Sequence, residues 1–325
     1  MEAPGRVRTP PHVAQIMERQ GYKMVLNHSA VKLCHWLREA ILRGRTCYKH
    51  RFFGTPSWRC VQMTPTAAFC NHQCLHCWRI NAGDLPPSQR WDETPGEDAV
   101  WDDPEDIAVE SIRVQRELVQ GFKGVPRANR RRIEEAKDPI HAAISLTGEP
   151  TLYPMIGGLI YAYKRRGMST FLVTNGTLPE RLESLECEPT QLYVTVNAYE
   201  KSLHMRIARP LWPDSWERLL RTLSLIESFS CPVVMRITLI KGVNMRPEGF
   251  AELVRRYNPT YVEPKAYMHV GFSRRRLTRG HMPSHREVRE FAERLAELTG
   301  YRVLDEHPDS RVVLLSRLER PIRFF

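Results

Sequence analysis

Six of the eight cysteines stand in two triplets: Cys34, Cys47 and Cys60, spaced by thirteen and thirteen, and Cys70, Cys74 and Cys77, spaced by four and three. An iron-sulfur cube ordinarily takes four cysteines. A compact triplet with no fourth cysteine nearby therefore leaves one iron open to a substrate or cofactor, and the chemistry is expected there. Zinc is the competing reading, but it takes four ligands, commonly in Cys-x2-Cys pairs, and only His72 or His76 would complete the second triplet. Cys187 and Cys231 fit neither group. Cys231 opens an apolar run and reads as a small buried residue, Cys187 as ordinary surface.

Other residues with chemical potential sit at the ends of β-rich runs. In Leu146-Thr147-Gly148-Glu149-Pro150, the glycine lets the backbone approach a ligand and Glu149 offers an acceptor for an ammonium group. Asn175 and Asn197 end the next two runs, where each can hydrogen-bond a bound cofactor or cap the following helix.

The elements that must position these residues follow an alternation. A first strand at Cys60 to Met63 is followed by runs at Ala142 to Leu146, Thr170 to Val173, Leu192 to Val196, Val233 to Ile240 and Tyr261 to Val270, with helical patterns between them. A last strand pair is expected around Tyr301 to Asp305 and Val312 to Leu315. Such a succession demands parallel strands joined by right-handed crossovers. The fold class is α/β, a partial (β/α)6 barrel with its site at the C-terminal strand ends. Residues 1–59 read as an N-terminal extension, with helical periodicity from Ala30 to Arg43, and 60–325 as the barrel. The proline-rich stretch from about 81 to 137, with a helix over Glu105 to Phe122 and the basic run Arg127 to Arg132, reads as an insertion at the mouth.

Composition narrows the partners. The net charge of +11 comes from 48 basic and 37 acidic residues, and 39 of the basic ones are arginine. Arginine forks onto phosphate and stacks on bases, so the excess favours RNA over a merely solubilising surface. Arg127 to Arg132, Lys164 to Arg166, and Arg274 to Arg276 with Arg279 are the candidate phosphate contacts. No apolar run approaches the ~20 residues that span a bilayer, and the N-terminus lacks the apolar core of a signal peptide. A cytoplasmic protein without membrane attachment is expected, and its clustered cysteines read as metal ligands rather than disulfides.

The second triplet, with His76 as the aromatic residue before its third cysteine, resembles the hallmark of the radical S-adenosylmethionine enzymes. Thr147, Gly148 and Glu149 resemble their Gly-Gly-Glu element, with threonine in the first place. Adding Arg45-Thr-Cys47-Tyr-Lys49, Phe52-Phe53-Gly54 and Arg59-Cys60, the chain resembles the 4-demethylwyosine synthases over nearly its whole length. The resemblance implies two [4Fe-4S] clusters, one on Cys70, Cys74 and Cys77 and a second on Cys34, Cys47 and Cys60. It implies S-adenosylmethionine held by His76, Thr147, Gly148, Glu149, Asn175 and Asn197, although Asn197 departs from the aspartate of the family pattern. The implied substrates are N1-methylguanosine at position 37 of the phenylalanine tRNA anticodon loop and pyruvate, which donates two carbons to a third ring. Lys49 is implied as the Schiff-base residue, with Lys265 the runner-up. A separate electron donor protein is expected in place of a flavodoxin-like domain, and a monomer. A peptide-modifying radical enzyme or an RNA-binding zinc protein would share only the second triplet or only the charge.

Overall fold

In a computed structural model of the chain, which describes residues 5–96 and 98–325, ten strands form one open sheet. They are β1 (Lys23–Val25), β2 (Ser29–Val31), β3 (Cys60–Thr64), β4 (His141–Ile144), β5 (Ser169–Thr174), β6 (Gln191–Thr195), β7 (Val233–Leu239), β8 (Tyr261–Ala266), β9 (Arg302–His307) and β10 (Val312–Ser316). Across the sheet the order is β1-β2-β3-β4-β5-β6-β7-β8-β10-β9, so β1 and β9 are its edges. Strands β3 to β8 run parallel, each beside the next. The pairs β1–β2, β2–β3, β8–β10 and β10–β9 are antiparallel. Six parallel strands joined by helical crossovers are the expected partial barrel, and helices cover the outside. Buried apolar side chains of β4, β6 and β7 pack against those helices in the main core. Among the described residues no helix is long and apolar enough to cross a membrane.

Three details depart from the sequence pattern. The periodicity of Ala30 to Arg43 predicts one helix, but Ser29–Val31 is a strand and the helix begins at His35, with Cys34 as its cap. Val31 is β-branched and fully buried opposite Met63 of β3, so sheet pairing overrides helical spacing. That pairing also joins the N-terminal extension to the main sheet. Helix Pro104–Gln120 lies within the expected insertion yet is the crossover from β3 to β4. Its Ile107, Ala108, Ile112 and Val114 belong to the main core, and Asp103 caps it by accepting from Glu105 N at 2.8 Å. The run Arg130 to Arg132 opens a short helix, Arg130–Ala136, capped by Asn129.

The helix Tyr48–Phe53 closes the lower end of the barrel. Phe52 and Phe53 pack with Phe171, Tyr193, Val234 and Tyr261, which lie toward the N-terminal ends of β5 to β8. Burying each phenylalanine is worth about 1.5–3 kcal/mol. The C-terminal tail seals this floor, with Phe324 N donating to Phe53 O at 3.0 Å. At Gly54 a Cβ would lie 2.6 Å from Phe325 O, and its φ of +81° is open to glycine. The plug turns Lys49 into the barrel, where its Nζ stands 4.9 Å from the Phe171 ring centroid.

Candidate active site

The loop after β3 carries Cys70, Cys74 and Cys77, and two buried arginines tie it down. Arg79, 1% exposed, pairs with Glu93 at 2.8 Å and donates to Ala68 O at 3.2 Å. Arg276 pairs with Asp84 at 2.5 Å and donates to Leu75 O at 3.3 Å and to Cys77 O. Backbone bonds add Cys70 N to Glu93 O at 2.9 Å and Leu75 N to Ile207 O at 2.9 Å. The three thiols line a cavity of about 270 Å³ whose opposite wall is the ends of β4, β5 and β6. Burial pushes the Cys70 thiol up to about 12 and raises Cys74 as well.

Among the described residues no three His, Cys, Asp or Glu converge on a single ion position. Thiols spread along one cavity wall suit a cube, which sets a separate iron behind each sulfur, better than one tetrahedral ion. Such a site also supplies the positive charge that buried thiols need to ionise.

A second cavity, of about 440 Å³, is lined by Cys34, Cys47, Cys60, Lys49 and Lys265. Three cysteines far apart in sequence are thus brought together with both candidate lysines. The two cavities adjoin, because His76, Trp78, Ser145, Val173, Arg236 and Thr238 line both. Lys265 Nζ stands 4.3 Å from the Tyr48 ring centroid. Burial, reinforced by Arg236, pushes the Lys265 ammonium down to about 8. Lys49 is also lowered, chiefly by burial and further by Arg236, against the opposing pull of Cys60. Imine chemistry needs the neutral amine, which these surroundings favour. Arg236 itself pairs with the fully buried Glu263 at 2.6 Å and donates to the Tyr48 hydroxyl at 2.9 Å.

The strand-end residues line the first cavity but spend much of their hydrogen bonding on one another. Glu149 accepts from Thr151 N at 3.0 Å, from the hydroxyls of Thr151 and Thr174 at 2.6 Å each, and from Asn175 N at 2.6 Å. Asn175 donates its amide to Asn71 at 2.7 Å and accepts from Thr177 N at 3.0 Å, so its side chain also closes a local turn. Gly148, with φ +70°, passes so close to the cysteine loop that a Cβ would meet Thr66 O at 1.9 Å. Thr147 accepts at its carbonyl from Thr64 Oγ1 at 2.6 Å, while its own hydroxyl is buried without a hydrogen-bond partner among the described residues. Asn197 accepts from Thr238 N at 2.8 Å, and its amide lies 3.3 Å from His76 Nε2. That contact makes Nε2 the acceptor and leaves the proton on Nδ1, which is buried without a hydrogen-bond partner among the described residues.

Sequence reasoning did not single out Arg79, Glu93, Arg236 or Tyr48. The available signal was a charge inside an apolar strand: Arg236 in Val-Val-Met-Arg-Ile-Thr-Leu and Glu263 two residues from Lys265.

Residues 64–254 match the family model described as Radical SAM superfamily, and 256–317 match the one described as Wyosine base formation. The S-adenosyl-L-methionine-dependent tRNA 4-demethylwyosine synthase of Pyrococcus horikoshii is 48% identical over 95% of this chain and 89% of its own. The chain belongs to the tRNA 4-demethylwyosine synthase family. The Methanocaldococcus jannaschii synthase is 36% identical over 96% of this chain and 98% of its own. A solved structure of TYW1 with a lysine-pyruvate adduct bound superposes with a TM-score of 0.86 at 34% identity, covering 97% of this chain and 98% of that one. Membership makes this a radical S-adenosylmethionine enzyme that modifies tRNA, with a [4Fe-4S] cluster and S-adenosylmethionine as cofactors. The half-buried triplet Cys70, Cys74 and Cys77 fits that cluster, since all three line one cavity beside the strand ends. The Wyosine base formation segment supplies Glu263, Lys265 and Arg276, so it builds the second cavity and clamps the cysteine loop of the first.

Proposed function

We propose that this synthase acts on N1-methylguanosine at position 37 of phenylalanine tRNA and condenses it with two carbons of pyruvate. The observation that carries this reading is the pair of adjoining cavities, one lined by Cys70, Cys74 and Cys77, the other by Cys34, Cys47, Cys60 and two lysines. Cys70, Cys74 and Cys77 would hold the [4Fe-4S] cluster in the first cavity, and with S-adenosylmethionine bound there it would supply the radical chemistry needed to take a hydrogen atom from the N1-methyl group. Every other demand falls on the protein. Gly148 lets the end of its strand pack directly against the cysteine loop, and Asn197 keeps His76 turned toward the boundary between the cavities.

Lys49 holds pyruvate as an imine in the second cavity, with Cys34, Cys47 and Cys60 as ligands of a second [4Fe-4S] cluster beside it. The lysine-pyruvate adduct bound in the solved TYW1 structure supports this chemistry for the family. The methylene carbon would then bond to C2 of pyruvate, the C1–C2 bond would break with the carboxyl leaving as formate after taking up one electron and one proton, and the guanine exocyclic amine would attack C2 and displace Lys49 as the free amine, closing the ring. Electrons come from a separate donor protein.

Borohydride trapping with labelled pyruvate tests the lysine. Wild type and Lys265→Ala should retain the adduct and Lys49→Ala should lose it. An adduct that survives Lys49→Ala but not Lys265→Ala would transfer the role to Lys265. Anaerobic reconstitution should yield about eight irons per chain if both cubes form, and a product nucleoside of the expected mass with methylated tRNA, pyruvate, S-adenosylmethionine and dithionite. About four irons would remove the second cluster.

A further inference from the structure

The three basic runs are equivalent as sequence but not in their surroundings. Lys164 donates to Glu188 O at 3.0 Å, and Arg165 and Arg166 both pair with Glu105. They lie between the end of helix Ile156–Lys164 and the start of β5, at the end of the barrel opposite the strand ends that carry the site. Arg131 is paired with Glu135 at 2.8 Å, and Arg132 donates to Ala40 O at 2.6 Å across the Trp58 ring. These cations are engaged with neighbouring groups; Arg127, the first of its run, is exposed and has no carboxylate partner among the described residues.

The loop after β8 differs. Of Arg274, Arg275, Arg276 and Arg279, only Arg276 has a carboxylate partner among the described residues, and the other three are exposed. The loop is locked against the cysteine segment: Phe272 N donates to Trp78 O at 3.0 Å, and a Cβ on Gly271 would lie 2.4 Å from Trp78 O. Its first residues reach the second cavity, which Met268 and Val270 line while remaining 38% and 44% exposed. His35 and Trp36 of the N-terminal extension line the same cavity. The mouth is thus a seam between the two ends of the open barrel, apolar and aromatic at its lip and cationic beside it.

We propose that Arg274 and Arg279 grip the phosphate backbone of the RNA loop and guide its base through this seam. The proposal rests on the RNA reading of the site and adds the surface and direction of approach. Free guanidinium groups fork onto phosphates without sequence preference, and these two are exposed on a loop bonded to the cysteine segment. Holding the backbone there places an extruded base against Trp36 and Met268, at the threshold of the cavity that contains both lysines.

The test is tRNA binding by the intact holoenzyme, followed by fluorescence anisotropy over a range of potassium chloride concentrations. The double variant Arg274→Ala/Arg279→Ala should melt with wild type yet bind more weakly. Its slope of log affinity against log salt should be shallower by about 1.4, at about 0.7 per single-strand phosphate contact. The control Arg165→Ala/Arg166→Ala should keep the wild-type slope. A wild-type slope in the first variant, or an equal loss in the control, overturns the proposal. Failure of the underlying reading looks different: wild type would bind tRNA with the expected salt dependence but never form the three-ring product.

Discussion

The ion pair beneath the cysteine loop gives the sharpest energetic prediction. Arg79 and Glu93 are 2.8 Å apart with side chains 1% exposed, and Glu93 also accepts from Gln73 Nε2 at 2.6 Å. Glu93→Ala strands a guanidinium that cannot lose its proton. Breaking a buried pair from one side costs about 3–5 kcal/mol, and the lost Gln73 bond adds about 1 kcal/mol. The expected total is about 4–6 kcal/mol, a large fraction of a typical folding free energy of about 5–15 kcal/mol. Urea denaturation of iron-free protein, followed by circular dichroism, measures it. The backbone bond from Cys70 N to Glu93 O survives the substitution, so the loss reports the stranded charge rather than a missing strut. Replacing both residues, Arg79→Leu/Glu93→Leu, removes the stranded charge and should recover most of the stability. Cluster uptake should follow the same order, poorest in the single variant. A single variant within about 1 kcal/mol of wild type, or a double variant less stable than the single, would refute this account of the loop.

Two further outcomes follow. Asn197→Ala leaves Thr238 N without its acceptor and should cost about 1–3 kcal/mol in thermal or urea melts, with weaker S-adenosylmethionine binding as His76 loses its tether. Asn197→Asp keeps an oxygen for Thr238 and should stay near wild type in the melts, but it lacks the amide donor to His76 and should weaken S-adenosylmethionine binding as the alanine does. At the start of helix His285–Thr299, Glu287 accepts from Ser284 N at 2.8 Å and pairs with Lys241 at 2.6 Å, which hold its carboxyl down at about 2. A depressed carboxylate stabilises the fold above its ordinary pKa of about 4.3 and loses that contribution as pH falls toward 2. Glu287→Gln should therefore cost about 1 kcal/mol near neutrality, with the difference from wild type shrinking steadily below pH about 4.5.

Much of the architecture was legible because it is periodic. Parallel strands buried on both faces read as short apolar runs, and the helices between them carry one apolar stripe, so the six βα units stood out in order. The exception is instructive. Ala30 and Val31 satisfied a helical spacing, yet β3 offered them an unpaired edge, and pairing with Met63 and Thr64 decided their conformation. Helix Pro104–Gln120 was legible from its own spacing, but the prolines on either side marked it as part of an insertion, whereas its buried face covers the sheet as a crossover.

By itself the chain's order of residues determined which atoms can do chemistry. Cysteines at fixed local spacing, a glycine before Glu149 and a surplus of arginine are properties of composition and short range, and they announce a metal cofactor and a polyanionic partner before any folding is considered. Only the tertiary structure decided what each residue is used for. It gathered Cys34, Cys47 and Cys60 around one cavity with Lys49 and Lys265, placed Arg236 and Glu263 as a buried pair beside them, and engaged Glu149 and Asn175 with the loop around them. It also separated basic runs that look alike, pairing Arg165 and Arg166 with Glu105 and leaving Arg274 and Arg279 exposed without a carboxylate partner among the described residues. The reason is physical: spacing along a chain controls neighbours within a turn or a strand, whereas burial, partner and orientation depend on segments hundreds of residues apart, which meet only when the sheet closes around its core.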